Sequence, residues 1–582
     1  MLFRSNASTG YFEFGTTWTR GPLDNSTSAP KGQGTAALLL GLPTGGRVDR
    51  KASFASQSTV YSLYIQDDWK VTSKLTLNLG LRYEVEGPVT ERFDRTVRGY
   101  DFNTASPLDA AVRAAYARNP IAELAADKLR LVGGLTFPGL GGQPRTLFNR
   151  DTNNFMPRIG VAYSWGPKTV IRAGYGIFYG PLGNRRRDVN QLGFSQSTTL
   201  VPSLDNGMTF RATLANPFPD GILEPRGAAD GLMTFAGRSI DFFAENPKAP
   251  FQQRWQFGMQ RELPQRVLLE LSYVGNFGDS LETTRDFRPL PLDYLSQSPL
   301  RDQPLIDRMT TNVPNPFAGL LPGTGLAGQS VSRGYLVSGP EYMHFTGITS
   351  TDYEGYSTYH SLQAKTERRF AAGWTLNAAY TWSKAMQAIS RLNGYLSPLE
   401  YGISDQDRAH RVVISGILEL PFGRGKRWLG SGGVVDKFVG GWQVQGVYTG
   451  QGGPPLSFGN VLYYGDIKDI TLPKGKRTVE QWFNTAGFER ASARQLSYNY
   501  RTFPSRLSDV RGDGTNLWDL SVMKNTRFKE RYNIQFRTEF LNAFNHANFA
   551  PPTTGPTSSA FGTVTAQRGF PRRLQMTTKF IF

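Results

Sequence analysis

The chain has 582 residues, no cysteine and a formal net charge of +18. These totals exclude a disulfide framework, a thiol nucleophile and a cysteine-based zinc site, and no run of about 18 apolar residues marks a membrane-crossing helix. The basic balance asks for an anionic neighbour, yet no helix-turn-helix, finger or RNP pattern makes that neighbour a nucleic acid.

The opening MLFRSNASTG has an early Arg4 but no apolar stretch after it, so it is not a signal peptide. Beyond it, segments of about ten residues alternate apolar and polar side chains with a period of two, the mark of a strand. The expected strands span 10–19, 60–71, 75–85, 154–165, 169–179, 252–263, 267–275, 357–370, 374–384, 411–421, 441–450, 516–525, 531–542 and 572–582. Leu75, Leu77, Leu79, Leu81 and Tyr83 share one face of the third; Thr76, Asn78, Gly80, Arg82 and Glu84 share the other. A length of about ten residues suits a tilted membrane-spanning strand.

Connections alternate in length. Thr72-Ser73-Lys74, Gly166-Pro167-Lys168, Pro264-Gln265-Arg266 and Ala371-Ala372-Gly373 are short; 86–153, 180–251, 276–356 and 451–515 are long and polar. Soluble domains rarely carry several such loops, whereas outer-membrane barrels pair short periplasmic turns with long outside loops. Within the first long loop, Ser106-Pro107 and Asn119-Pro120 read as helix starts, so short helices are expected at 107–118 and 121–129.

Alternation alone also suits a soluble sandwich with its oily face inward. Two further features favour lipid. On the apolar parity, Trp69, Tyr83, Trp165, Tyr179, Trp374, Trp382, Trp442, Tyr448, Trp518 and Tyr532 fall near strand ends, as in aromatic girdles. The chain also closes on an alternating strand with Met576, Thr578, Phe580 and Phe582 on one parity, which resembles the signal read by the barrel-assembly machinery. The expected fold is therefore all-β: a transmembrane antiparallel up-and-down β-barrel in the outer membrane of a Gram-negative (diderm) bacterium, touching lipid and lipopolysaccharide. Its lumen-facing set is Arg82, Glu84, Arg158, Arg172, Arg537 and Glu539. Gly160, Gly174 and Gly176 would let another surface approach the wall closely or let the strand curve. Asp67 shares the lipid-facing parity; either it sits at the interface beside Trp69 or a bulge at Gln66-Asp67-Asp68 turns it inward.

LYIQDDWKVTSKLTLNLGLRYE resembles a hallmark stretch of the Oar-like TonB-dependent outer-membrane transporters. So do NFMPRIGVAYSWGPKTVIRAGYGIFYG, WTLNAAYTWSKAM, HRVVISGILELPFGRGKRW, GGWQVQGVYTGQGGPPL and FRTEFLNAFNHANF, over nearly the whole chain. The resemblance implies a plugged barrel of about 22 strands, preceded by a signal peptide, a carboxypeptidase-regulatory-like domain, a TonB box and a plug. None of these is visible in residues 1–582, which read as one barrel domain and as the C-terminal part of a longer protein. TonB would be reached only through that N-terminal part. The expected sheet is open, with strands 10–19 and 572–582 as its edges.

Chemistry is sparse. His344, His360, His410 and His546 have no metal-ligand spacing, and no G-x-S-x-G elbow or cofactor motif occurs, so neither enzyme activity nor a cofactor is expected. GRGKRW (423–428) reads as a basic periplasmic turn. Arg185, Arg186 and Arg187 form a cluster in an outside loop, a solvated loop or a contact for lipopolysaccharide phosphate. The expected function is uptake or binding of a large, unidentified solute, with surface adhesion and a passive pore as alternatives.

Overall fold

The structure is a computed structural model that describes residues 9–21, 34–182, 190–205, 207–394, 397–430, 433–528 and 532–582. Thirteen strands form one continuous antiparallel wall. They are β1 (Val60–Lys70), β2 (Leu75–Glu86), β3 (Phe155–Gly166), β4 (Thr169–Tyr179), β5 (Phe251–Leu263), β6 (Val267–Asp286), β7 (Gly347–Ala371), β8 (Trp374–Ala388), β9 (His410–Glu419), β10 (Trp442–Gln451), β11 (Thr515–Phe528), β12 (Tyr532–Leu541) and β13 (Arg573–Ile581). Each pairs with its sequence neighbour, and two short strands, Ser239–Phe243 on β7 and Gly402–Ile403 on β8, complete a sheet of 15. The sheet is open, with β1 and β13 at its two edges and fully exposed along their lengths.

The first expected strand is corrected. Only Tyr11–Glu13 is extended, and it pairs with Gly45–Lys51 outside the wall. Apolar alternation stops at Gly15, and Thr17–Thr19 turns into a 3-10 segment held by the Trp18 indole N–H donating to the Pro43 carbonyl at 3.1 Å. The open edge is therefore β1, not 10–19. The bulge offered for Asp67 is also absent: β1 and β2 pair in unbroken register from Val60↔Glu86 to Lys70↔Thr76, which leaves Asp67 opposite Leu79 on the apolar face.

Short turns use the left-handed backbone their geometry needs. Ala371↔Trp374 closes on Ala372 (φ 52°) and Gly373 (φ 85°), the positive-φ pair that follows strand twist. Arg368 clamps this turn, donating to the carbonyls of Ala371 (2.7 Å) and Trp374 (2.6 Å), with its guanidinium 3.6 Å over the Trp374 ring. The opposite rim carries the long loops. One connection on the turn side breaks the pattern: residues 420–441 between β9 and β10 contain a short helix, α1 (Val434–Val439).

β6 and β7 run for 20 and 25 residues, well past the expected 267–275 and 357–370. The extra length is Thr283-Thr284-Arg285-Asp286 against Thr349-Ser350-Thr351-Asp352. Beyond the lipid both faces meet polar surroundings or loops, so the period-two signal fades while the ladder continues. The second expected helix, 121–129, is replaced by a turn. Tyr116, at the end of the helix Asp109–Tyr116, donates to the Leu124 carbonyl at 2.6 Å and accepts from the Ile121 N–H.

The buried apolar core lies in the loops rather than in the wall. Val112, Tyr116 and Leu131 of the β2–β3 loop pack with Met309, Phe317 and Leu336 of the β6–β7 loop. Phe458, Trp482, Phe483 and Phe488 form a second cluster with Phe561 of the β12–β13 loop. Charges join the same seams. Glu123, its side chain 1% exposed, meets Arg308 (2.7 Å) and Arg333 (3.1 Å), and Asp407 meets Arg511 at 2.7 Å.

His344 sits fully buried at such a seam. Its Nε2–H donates to the Gly133 carbonyl at 3.1 Å, and its Nδ1 has no partner among the described residues. Burial, reinforced by nearby Arg288, pushes the imidazole down to about 4, against the Gly133 bond that opposes the shift. Protonation would place an N–H at a site with no acceptor. The unfolded chain takes up this proton first, so the loops should lose stability as pH falls from about 6.5 and level off below about 4. Hydrogen exchange across 300–350 should show that loss, and His344→Gln, which keeps a donor for Gly133, should flatten it.

Candidate functional site: the polar face of the wall

Cross-strand register joins the alternating residues into two unlike surfaces. On one, Leu79 lies beside Ile159, Ile159 beside Tyr175, Tyr175 beside Trp255; farther on, Ile414 lies beside Tyr448 and Tyr448 beside Trp518. These side chains are exposed: Leu63 keeps 75% and Ile65 73% of its surface. A water-facing sheet would pay about 25 cal/mol for each Å² of this band; hydrocarbon removes the cost. Trp69, Trp165, Trp374, Trp442 and Tyr532 occupy the turn end of this face. Tyr83, Tyr179, Trp382, Tyr448 and Trp518 lie toward the loop end, with Tyr83–Phe155 and Tyr448–Trp518 rings 4.6 and 4.5 Å apart. The loop-end row also holds two pairs the sequence did not announce, Tyr273–His360 and Tyr380–His410, each joined by a hydroxyl–imidazole hydrogen bond of 2.7 and 2.9 Å. Met576, Thr578 and Phe580 sit on the same face of β13, opposite Thr538, Phe536 and Ile534, and Phe582 is exposed just beyond.

The other surface is the candidate site. Across β1–β5 it forms a concavity of about 620 Å³ lined by Gln66, Asn78, Arg158, Arg172, Arg254 and Gln256. Arginine and glycine make a checkerboard there. Arg158 stands between Gly80 and Gly176, and Arg172 between Ala162 and Gly258; Gly160 lies between Asn78 and Gly174. Missing side chains at the glycines leave room for the long cations to lie along the wall. The Arg158 guanidinium rests 4.8 Å over the Phe178 ring, and a Cβ on Gly176 would meet that ring at 3.1 Å. Among the described residues, no carboxylate lies within ion-pair distance of Arg158, Arg172 or Arg254. Arg158 and Arg254 are two strands apart through Gly176, roughly 10 Å. That is about one Debye length at moderate salt, so mutual repulsion is modest while their fields add on a shared anion.

The rest of the expected lumen set behaves differently. Arg82 and Glu84 pair with each other at 3.0 Å, as do Arg537 and Glu539 at 2.6 Å. Arg537 also donates to the Ser521 hydroxyl at 3.0 Å, beside a smaller basin of about 350 Å³ lined by Asn377, Gln445 and Asp519. The polar face therefore combines an unpaired arginine stripe across β3–β5 with paired charges on β2 and β12. The sequence reading missed Arg254, although FQQRWQFGMQ carries the same alternation, with Gln252, Arg254, Gln256 and Gly258 on the wet parity. Arg185, Arg186 and Arg187 lie outside the described residues. His344 is buried in the loops, and His546 donates its backbone N–H to Asn542.

A family profile described as "Outer membrane beta barrel domain" matches residues 1–575. No curated protein matches the chain. Among solved structures it is similar to the pyoverdine outer membrane receptor FpvA from Pseudomonas aeruginosa PAO1, at 11% identity and a TM-score of 0.39, over 96% of this chain and 45% of that one. The siderophore receptor PiuA from Acinetobacter baumannii gives 8% and 0.38, over 91% and 44%. The ferric-catecholate import receptor Fiu from K12 E. coli gives 10% and 0.37, over 91% and 45%. The chain thus spans less than half the length of each.

The assignment of faces has a direct test. Ile159→Arg, mid-strand on the apolar surface, should cost about 2–4 kcal/mol in a bilayer. Ser415→Arg, mid-strand on the polar surface, should stay within about 0.5 kcal/mol of the parent. Denaturant titration of the vesicle-inserted protein compares the two; a larger cost for Ser415→Arg would reverse the orientation.

Proposed function

The chain belongs to the outer membrane β-barrel domain family and lies in the outer membrane of a Gram-negative bacterium; from that premise we propose that it supplies the wall and outer loops of an Oar-like TonB-dependent receptor that takes up a large solute. The observation that carries this reading is the unneutralised arginine stripe, Arg158, Arg172 and Arg254, set among glycines on the polar face. A wall that needed only to be wet would be served by paired charges such as Arg537–Glu539. An unpaired stripe with space above it suits an anionic surface that docks and leaves, whether a plug or the solute itself. The sequence resemblance described above supports the same family role.

On this reading the loops capture the solute, and TonB, acting through a plug and TonB box of the same receptor, drives its passage. No reaction is assigned to the chain. A binding barrel without transport is the second reading, favoured by the extent of the loop clusters, which give a rigid outer surface whether or not anything crosses the wall.

Depletion of a complex growth medium, followed by mass spectrometry against a strain lacking the protein, separates these. The receptor reading expects uptake that stops with a protonophore and falls severalfold in Arg158→Gln/Arg172→Gln/Arg254→Gln. Uptake that survives the protonophore would make the barrel a passive pore; solute held at the surface but never depleted would make it an adhesion protein.

A further inference from the structure

The connection between β9 and β10 is long where every other described turn-side connection is short, and its surface is unlike the rest of that rim. Val434 is 71% and Phe438 72% exposed on α1, with Val435, Trp428 and Leu429 exposed beside them. The helix is fixed against the apolar side of the wall. The Trp442 indole N–H donates to the Phe438 carbonyl at 2.8 Å, the Lys524 ammonium donates to the Gly440 carbonyl, and the Lys437 ammonium lies 5.8 Å from the Phe528 ring centre. Trp442 and Lys524 are register partners on the lipid-facing ladder. Gly423 makes the close approach possible: a Cβ there would meet Gly440 Cα and the Asp436 carboxylate, each at 2.5 Å.

Next to this apolar surface lies a cup of about 520 Å³ that holds Arg424, Lys426, Lys437, Lys524 and Arg527 against only Glu419 and Asp436. Both carboxylates are already engaged. Glu419 pairs with Lys426 at 2.6 Å, and Asp436 accepts the Arg424 backbone N–H at 2.5 Å. Among the described residues, the side chains of Arg424, Lys437 and Arg527 have no carboxylate partner. The turn rim of an outer-membrane barrel faces the periplasm, where the leaflet is phospholipid. A short helix with apolar side chains outward and cations beside them has the make-up of an interfacial anchor, seated at the boundary of head groups and acyl chains.

We propose that this element is a binding site for an anionic phospholipid of the periplasmic leaflet. Arg424 and Lys437 hold the phosphate, Arg527, on the polar parity of β11, adds charge at the rim of the cup, and Val434, Val435 and Phe438 enter the acyl boundary. Two observations choose this occupant: the cup is cationic, and the exposed apolar patch is continuous with the lipid-facing ladder through Trp442. The inference rests on the outer-membrane location and not on the transport reading.

Native mass spectrometry of the full chain in mixed micelles gives the apparent affinity for phosphatidylglycerol relative to phosphatidylcholine. The parent should prefer phosphatidylglycerol, and Arg424→Gln/Lys437→Gln/Arg527→Gln should reduce the preference on the order of 100-fold, since each cation near an anionic surface contributes about fivefold. Lys468→Gln/Lys474→Gln/Lys476→Gln, in the outer loops, should leave it unchanged. Equal affinity for the two lipids, or full displacement of phosphatidylglycerol by inorganic phosphate, would overturn the proposal. A second measurement does not depend on removing charge. The chain has no cysteine, so a nitroxide on Phe438→Cys reports that position alone in phosphatidylglycerol vesicles. It should be more accessible to oxygen than to a water-soluble nickel chelate; the accessibility of an aqueous residue would refute the anchor.

Discussion

Backbone pairing governs this molecule. In hydrocarbon an unpaired N–H or C=O costs several kcal/mol, and strands satisfy one another only through an unbroken ladder. The wall obeys this across its 13 strands, each bonded to its sequence neighbour in long, mostly regular register, except at the outer edges of β1 and β13, which pair on one side only. Register then decides everything about the faces. With a side-chain period of two, a slip of one residue would exchange leucine for arginine along a strand. The ladder Leu79–Ile159–Tyr175–Trp255 and the stripe Arg158–Gly176–Arg254 are the two sides of the same pairing.

A second consequence concerns where the chain keeps its core. A wall with lipid on one side and water on the other buries little of its own apolar surface. Fully buried Phe148, Phe317, Phe345 and Phe483 all belong to loops, where four clusters pack strands, turns and short helices from distant parts of the sequence. Stability is thus split between two solvents. The wall depends on pairing and on lipid, the loops on ordinary hydrophobic burial and on seams such as Glu123 with Arg308 and Arg333.

How much of this was legible in the sequence follows from the same division. Strands inside the bilayer carry a strict alternation, so β1–β5 and β8–β13 were placed to within a few residues, and the faces of Arg158, Arg172 and Ile159 followed from parity. The signal fails where lipid no longer dictates the pattern. Residues 10–19 look alternating but hold only Tyr11–Glu13 in a strand, because Trp18, on the parity of Phe12 and Phe14, sits in a 3-10 turn held by its indole bond to the Pro43 carbonyl. The outer halves of β6 and β7 read as loop because threonines and acids on both faces give no period. The long loops look polar in composition, yet widely spaced residues such as Leu108, Met309 and Phe317 meet in one cluster; a local window does not see contacts made across 200 residues. The pairing of Arg537 with Glu539 was within reach, and the lack of a carboxylate partner for Arg254 among the described residues was not, since that depends on what neighbouring strands bring alongside.

The β6–β7 pair has a mechanical meaning. Twenty-five residues of extended chain reach about 80 Å along the strand, of which the bilayer takes roughly ten residues. The remainder continues beyond the membrane into the loop clusters, where Ile348 and Tyr353 are buried and Ser239–Phe243 pairs along the end of β7. Two successive register shifts, Gly278/Leu281 and Leu281/Thr283, interrupt its pairing with β6, and Ser280 between them takes φ 53°. The same two strands thus join the loop clusters to the lipid-held sheet, and a load on the loops passes through that irregular stretch before it reaches the wall.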